Sequence, residues 1–148
     1  MRIGIAALLA AALIPSAIAG SHPRYLHARS DLRVARALLR VREEPNVTRD
    51  LMDAAREVSD AIAEVNRAAV MDHKEMGAEP RIDTSLGRRD RFHKITALLR
   101  SARADVDEEE DNPRARPWRD TAIRHIDAAL RLVHRAMRDL RIDREMGY

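Results

Sequence analysis

Two groups of side chains in this sequence have types and spacings suited to chemistry. The first is the run ADVDEEEDNP, residues 104–113, with six carboxylates from Asp105 to Asp111. Asp105, Asp107, Glu109 and Asp111 alternate, as oxygen ligands do in a calcium loop. An EF-hand, however, has Gly at its sixth position and Glu at its twelfth, where this chain has Glu110 and Arg116. The residues before the run have a helical pattern, and a helix scatters alternate side chains around its cylinder. The plainer reading is therefore a solvated acidic helix end that leads into an Asn-Pro turn. Carboxylates at a helix C-terminus oppose its dipole. Arg114, Arg116 and Arg119 follow closely enough to fold back onto them. No cofactor is expected beyond a weakly held divalent cation at this tip.

The second group is His27, His73 and His93 with Asp72. In an up-down-up-down bundle, the starts of the first and third helices share one end with the ends of the second and fourth. That end gathers His22, His27, Asp72, His73, Glu75, His93 and Asp143. Imidazoles beside carboxylates bind zinc or copper. Asp72 continues the apolar phase of its helix beyond Ala69, where a carboxylate needs a partner. Against a metal, His27 and His93 fall outside the apolar stripes, and no His-x-x-x-His pair occurs. His125 and His134, nine residues apart, lie on opposite sides of one helix. Scattered surface histidines are the plainer reading, and a zinc or copper buffer or sensor is the alternative.

Helices must position all of these residues. Ala, Leu, Arg and Glu dominate, β-branched clusters are missing, and apolar residues recur every three or four positions. Four helices follow, at about Pro23–Glu43, Arg49–Glu75, Gly87–Glu110 and Pro117–Glu145. Thr48 is placed to cap the second, and Val47 with Met52 to staple it. The breaks EEPNVT, MGAEPRIDTSLG and DNPRARP hold Pro or Gly with cap-forming residues. Trp118 is placed to seal the bundle end beneath the hairpin tips. The two halves look alike. A shift of 67 lays Tyr25–Leu39 on Phe92–Val106, with LRVARA on LRSARA, and a shift of 68 lays Arg56–Ala68 on Arg124–Ala136. The expected fold is all-α: an antiparallel up-down-up-down four-helix bundle of two duplicated hairpins, about 20–76 and 87–146. Many stripe positions are alanine, so the helices should approach closely and leave little room for a haem or another large ligand in the middle.

The stretches SHPRYLHARSDLRVARALL, RRDRFHKITALLRSARADVDEEEDNPRAR and RHIDAAL resemble a group of small secreted proteins from acidobacteria and related soil bacteria. They share a His-Pro-x-Tyr-Leu start, an Asp-Leu-Arg-x-Ala-Arg stretch and a Glu-Glu-Asp-Asn-Pro tip. The resemblance implies a secreted helical protein; it implies no activity, cofactor or site residue.

Composition narrows the function classes. The first residues, MRIGIAALLAAALIPSAIAG, pair a positive Arg2 with an apolar run over Ile3–Ile14 and an Ala17-Ile18-Ala19 cleavage pattern. This reads as a signal peptide over residues 1–19, which places residues 20–148 in the periplasm or outside the cell. The apolar run is too short to span a bilayer, which takes about 20 residues, so the mature chain has no membrane span. Without cysteine, disulfides and lipoprotein anchoring are excluded. The 27 basic and 24 acidic residues are interleaved, and aromatics make up 3% of the chain. Nucleic-acid binding needs uncompensated positive charge and stacking rings, so it is not expected. No Gly-x-Ser-x-Gly, phosphate loop or His-Glu-x-x-His occurs, and no enzyme is expected. The sequence points to a non-enzymatic exported module that binds a protein, an envelope component or its own copies.

Overall fold

An amphipathic helix must bury its apolar stripe against another, and four such stripes close on one another. The computed structural model describes residues 24–71, 80–108 and 112–146, with side chains of the last stretch described as far as Arg141. It contains α1 (Arg24–Leu39), α2 (Pro45–Met71), α3 (Arg88–Asp107) and α4 (Arg116–Met146). They form the four-helix bundle that the sequence implies, with no strand among the described residues. The signal segment lies outside the described residues. Among the described residues no helix is long and apolar enough to cross a membrane.

α2 begins earlier than its capping pattern implies. Pro45 takes the first helical turn, where a missing N–H costs nothing, and the Thr48 N–H donates to the Glu44 carbonyl at 2.8 Å. Thr48 is therefore not the cap. Its hydroxyl donates to the Glu43 carbonyl at 2.8 Å and accepts from the Glu43 N–H at 3.2 Å, tying the first turn to the preceding link. Val47 is buried but Met52 is exposed, so the two do not form a staple.

The path of the chain through the bundle differs from up-down-up-down. Arg88 and Arg91, at the start of α3, pair with Glu43 just beyond the end of α1. At the other end of the same two helices, Arg24 pairs with Glu108. α3 therefore starts where α1 ends and runs antiparallel to it. α4 runs antiparallel to α2, as His125–Glu57 at 2.7 Å and Arg135–Asp50 at 3.8 Å require. The order is up-down-down-up. α1 packs on α2 and α3, α4 packs on α2 and α3, and the pairs α1/α4 and α2/α3 lie across the diagonals.

Link length is the physical reason. Residues 40–44 and 108–115 are short and only reverse the chain. Residues 72–87 number sixteen, and at about 3.3 Å each a link of that length suffices to span α3, about 30 Å at 1.5 Å per residue. Their described part, 80–87, is non-helical and mostly exposed, and Leu86 packs against the core. Within it the Ser85 N–H and hydroxyl donate to Asp83 at 2.8 and 2.6 Å, which holds that carboxyl below the usual range.

Two rows of alanine set the packing. Ala54, Ala61 and Ala68 on α2 recur every seven residues, as do Ala122, Ala129 and Ala136 on α4, and all six are fully buried. Small side chains at heptad spacing let two backbones approach closely, and α2 with α4 is the most extensive helix pair in the bundle. Bringing this row against α2 rolls α4 about its axis. Ile123, Leu130, Met137 and Leu140, which sequence periodicity placed in the core stripe, are only partly buried.

Candidate functional site

The acidic run ends α3. Asp105 is half-buried and faces α1, where burial pushes its carboxyl above the usual carboxylate range. The nearby Asp31 and Glu108 carboxylates add to that shift, while His27 and Arg24 oppose it. Asp107 is exposed, 3.9 Å from Arg103 one turn earlier. Glu109 and Asp111 lie outside the described residues. Among the described residues, Arg24 of α1 pairs with Glu108 at this helix end. Arg119 pairs with its neighbour Asp120. Trp118 does not seal this pole: it is exposed, with the Arg67 guanidinium 5.3 Å from its ring centroid.

His27 and His93 do not share one end of the bundle as the up-down-up-down path required. His27, near the start of α1, lies at the pole where α3 ends, beside Asp105. His93 lies at the pole where α3 starts. Twelve residues of helix, about 18 Å, separate His93 from Asp105, so His27 and His93 cannot share an ion. Asp72 and His73 lie outside the described residues. Among the described residues no three His, Cys, Asp or Glu side chains are grouped to hold a metal.

His93 instead lines a groove between α3 and α4. One compartment, about 650 Å³, is bounded by Arg88, Arg89, Phe92, His93, Met137, Leu140 and Arg141. The next, about 440 Å³, shares His93 and Met137 and adds Thr96, Ala97, Arg100 and His134. Phe92 is buried at the floor, and Met137 and Leu140 are half-covered. No carboxylate lines either compartment among the described residues. The described lining carries Arg88, Arg89, Arg100 and Arg141 with His93 and His134 and no acid, although the whole chain is only +3. The interleaved charge that argued against a positive surface is thus an average over the chain, and this face departs from it.

A buried ionic cluster anchors the groove's outer end. The Glu43 carboxylate, 3% exposed, takes Arg91 on one oxygen and the Arg88 Nε on the other at 2.8 Å. Arg88 also reaches Glu44 at 2.8 Å. The Glu44 carboxyl lies below its usual value, first through a backbone hydrogen bond and then through Arg88. Arg91 is almost fully buried, and burial lowers its guanidinium pKa. This cluster fixes the first turn of α3, and with it Arg89, Phe92 and His93. Further along α3, Arg103 donates to Asp127 of α4 at 2.8 Å. The two helices are therefore latched at that point and part above it. Comparison of the chain with protein-family models, curated proteins and solved structures finds no match.

Proposed function

We propose that this chain is an exported, non-enzymatic helical bundle that works as a binding module in the periplasm or outside the cell. The partner is a protein, an envelope component or a second copy. The observation that carries this reading is the α3/α4 groove, a half-covered apolar floor of Phe92, Met137 and Leu140 under a basic rim. Exposed apolar surface framed by polar side chains is the usual form of an interaction site. The signal-like first 19 residues, and the resemblance to small secreted bacterial proteins, support export.

We further infer that the bundle arose by duplication of one hairpin. The alanine rows of α2 and α4 stand 68 residues apart position by position, and Glu57 touches His125, its equivalent at the same offset. Leu32 and Leu99, equivalent at 67, are both fully buried. α1 antiparallel to α3 and α2 antiparallel to α4 is the arrangement a twofold axis between two copies produces.

Export is tested by fractionating an expressing bacterium and reading the N-terminus of the recovered chain. A periplasmic or secreted product that starts at Gly20 is expected, and an unprocessed cytosolic one sinks the reading. Binding is tested with a photo-cross-linking residue at Ala97, inside the groove, and a control at Ala63, exposed on α2. An adduct specific to Ala97 is expected from envelope material. Equal labelling at both positions removes the groove as the site.

A further inference from the structure

We propose that the α3/α4 groove takes a single-chain anionic amphiphile, an alkyl chain carrying a carboxylate, with the chain on the apolar floor and the headgroup at the outer rim. This deepens the binding-module reading and rests on it. Three features of the groove support the choice. First, its apolar floor is small: Leu140 and Met137 from α4, Phe92 from α3, and Ala97 further along. A partner helix is about 10 Å across and gains little contact from so small a floor, whereas an alkyl chain fits along it. Second, the two compartments join through His93 and Met137 into a trough running from Arg88 to Arg100, about 18 Å of helix. Third, the charges that line it among the described residues are of one sign. Arg88 is occupied by Glu43 and Glu44, so recognition of an anion falls to Arg89 and His93, with Arg141 alongside. Neither Arg89 nor His93 pairs with an acid among the described residues. A guanidinium accepts a carboxylate through paired N–H donors, and the same rim disfavours a cation.

The test uses octanoate, decanoate and dodecanoate below their micelle concentrations, with dodecyltrimethylammonium as the cationic control, titrated into the purified chain by calorimetry. Affinity is expected to rise about fourfold per methylene and to be at least about tenfold weaker for the cation. Leu140→Asp abolishes binding. Arg89→Glu, at an exposed position that leaves the fold intact, weakens dodecanoate about tenfold, with an unchanged circular dichroism spectrum. Equal affinity for anion and cation, no dependence on chain length, or full binding by Arg89→Glu overturns the inference. Should dodecanoate fail to bind while the Ala97 cross-linker captures a protein, the amphiphile is wrong and the binding-module reading stands. If neither binds, both fall.

Discussion

The ion pair between Glu43 and Arg91 exists only if α3 begins at the pole where α1 ends, so it tests the chain path directly. Both side chains are buried, Glu43 at 3% and Arg91 at 7% exposure. Truncating either leaves the other's charge stranded away from water. Removing one partner of a buried pair costs about 3–5 kcal/mol. Glu43→Ala strands Arg91, whose Nε already lacks a hydrogen-bond partner, and the upper part of that range applies. Arg91→Ala leaves Glu43 with Arg88, whose side chain is 45% exposed and whose pair contributes about 1 kcal/mol or less. The lower part applies there. The double variant strands neither charge, so its cost falls well below the sum of the two, and a coupling of about 2 kcal/mol is expected. The assay is urea unfolding of the wild type, both single variants and the double variant, followed by circular dichroism. Coupling below about 0.5 kcal/mol, the limit for independent sites, would place residues 43 and 91 apart and restore the up-down-up-down path.

Asp105→Asn is expected to raise the melting temperature at neutral pH. The folded state raises the Asp105 pKa, so the native chain holds that proton more tightly than the unfolded one, and stability is lost as pH rises through the raised value. The gain from Asn therefore closes as pH falls below the ordinary Asp value of about 3.9, and a pH series of melts that shows a constant gain refutes this. Gly87→Ser is expected to stabilise by about 0.5–1 kcal/mol. Gly87 is the N-cap of α3 at φ −56° and ψ 154°, makes no side-chain cap, and an added Cβ meets nothing within 4 Å, so a lower urea midpoint would contradict it. Leu99→Ala, at a fully buried position, is expected to cost about 3 kcal/mol, read as a urea midpoint about 1.5 M lower. A shift under about 0.3 M would remove Leu99 from the core.

The helices and their number are legible because each stripe repeats several times, and every repeat votes for the same period. Tyr25, Leu32, Leu51, Val58, Ile95, Leu99 and Ile126 lie in the core, as that period requires. His27 and His93 lie at opposite poles because their expected meeting rested on the direction of α3, and periodicity carries no direction. That information sat in loop lengths: sixteen residues at 72–87 are far more than a reversal needs, while five at 40–44 permit nothing else. The groove was missed because size was taken for burial. On α4, Met137 and Leu140 outrank Ala129 and Ala136 in hydrophobicity, yet the alanines are fully buried and the larger side chains only partly. The seven-residue recurrence of alanine at 122, 129 and 136, matched at 54, 61 and 68, was the available signal.

The alanine rows also explain why the groove lies where it does. A helix has one narrow side on which it approaches another closely, and α4 spends that side on α2. Rotating the alanines toward α2 turns Met137 and Leu140 toward α3, which approaches with the larger Phe92. The Arg103–Asp127 bond holds α3 and α4 together near the acidic pole, so the gap opens toward the other end. There the Glu43 cluster ties the first turn of α3 to the end of α1. The same contacts that close the bundle on three sides thus leave the fourth parted. Reversing α3 would have brought Asp105, Asp107 and Glu108 to this pole and carried Arg88, Arg89 and His93 to the other. The acidic end of α3 and the basic side chains described around the groove thus lie at opposite ends of the bundle.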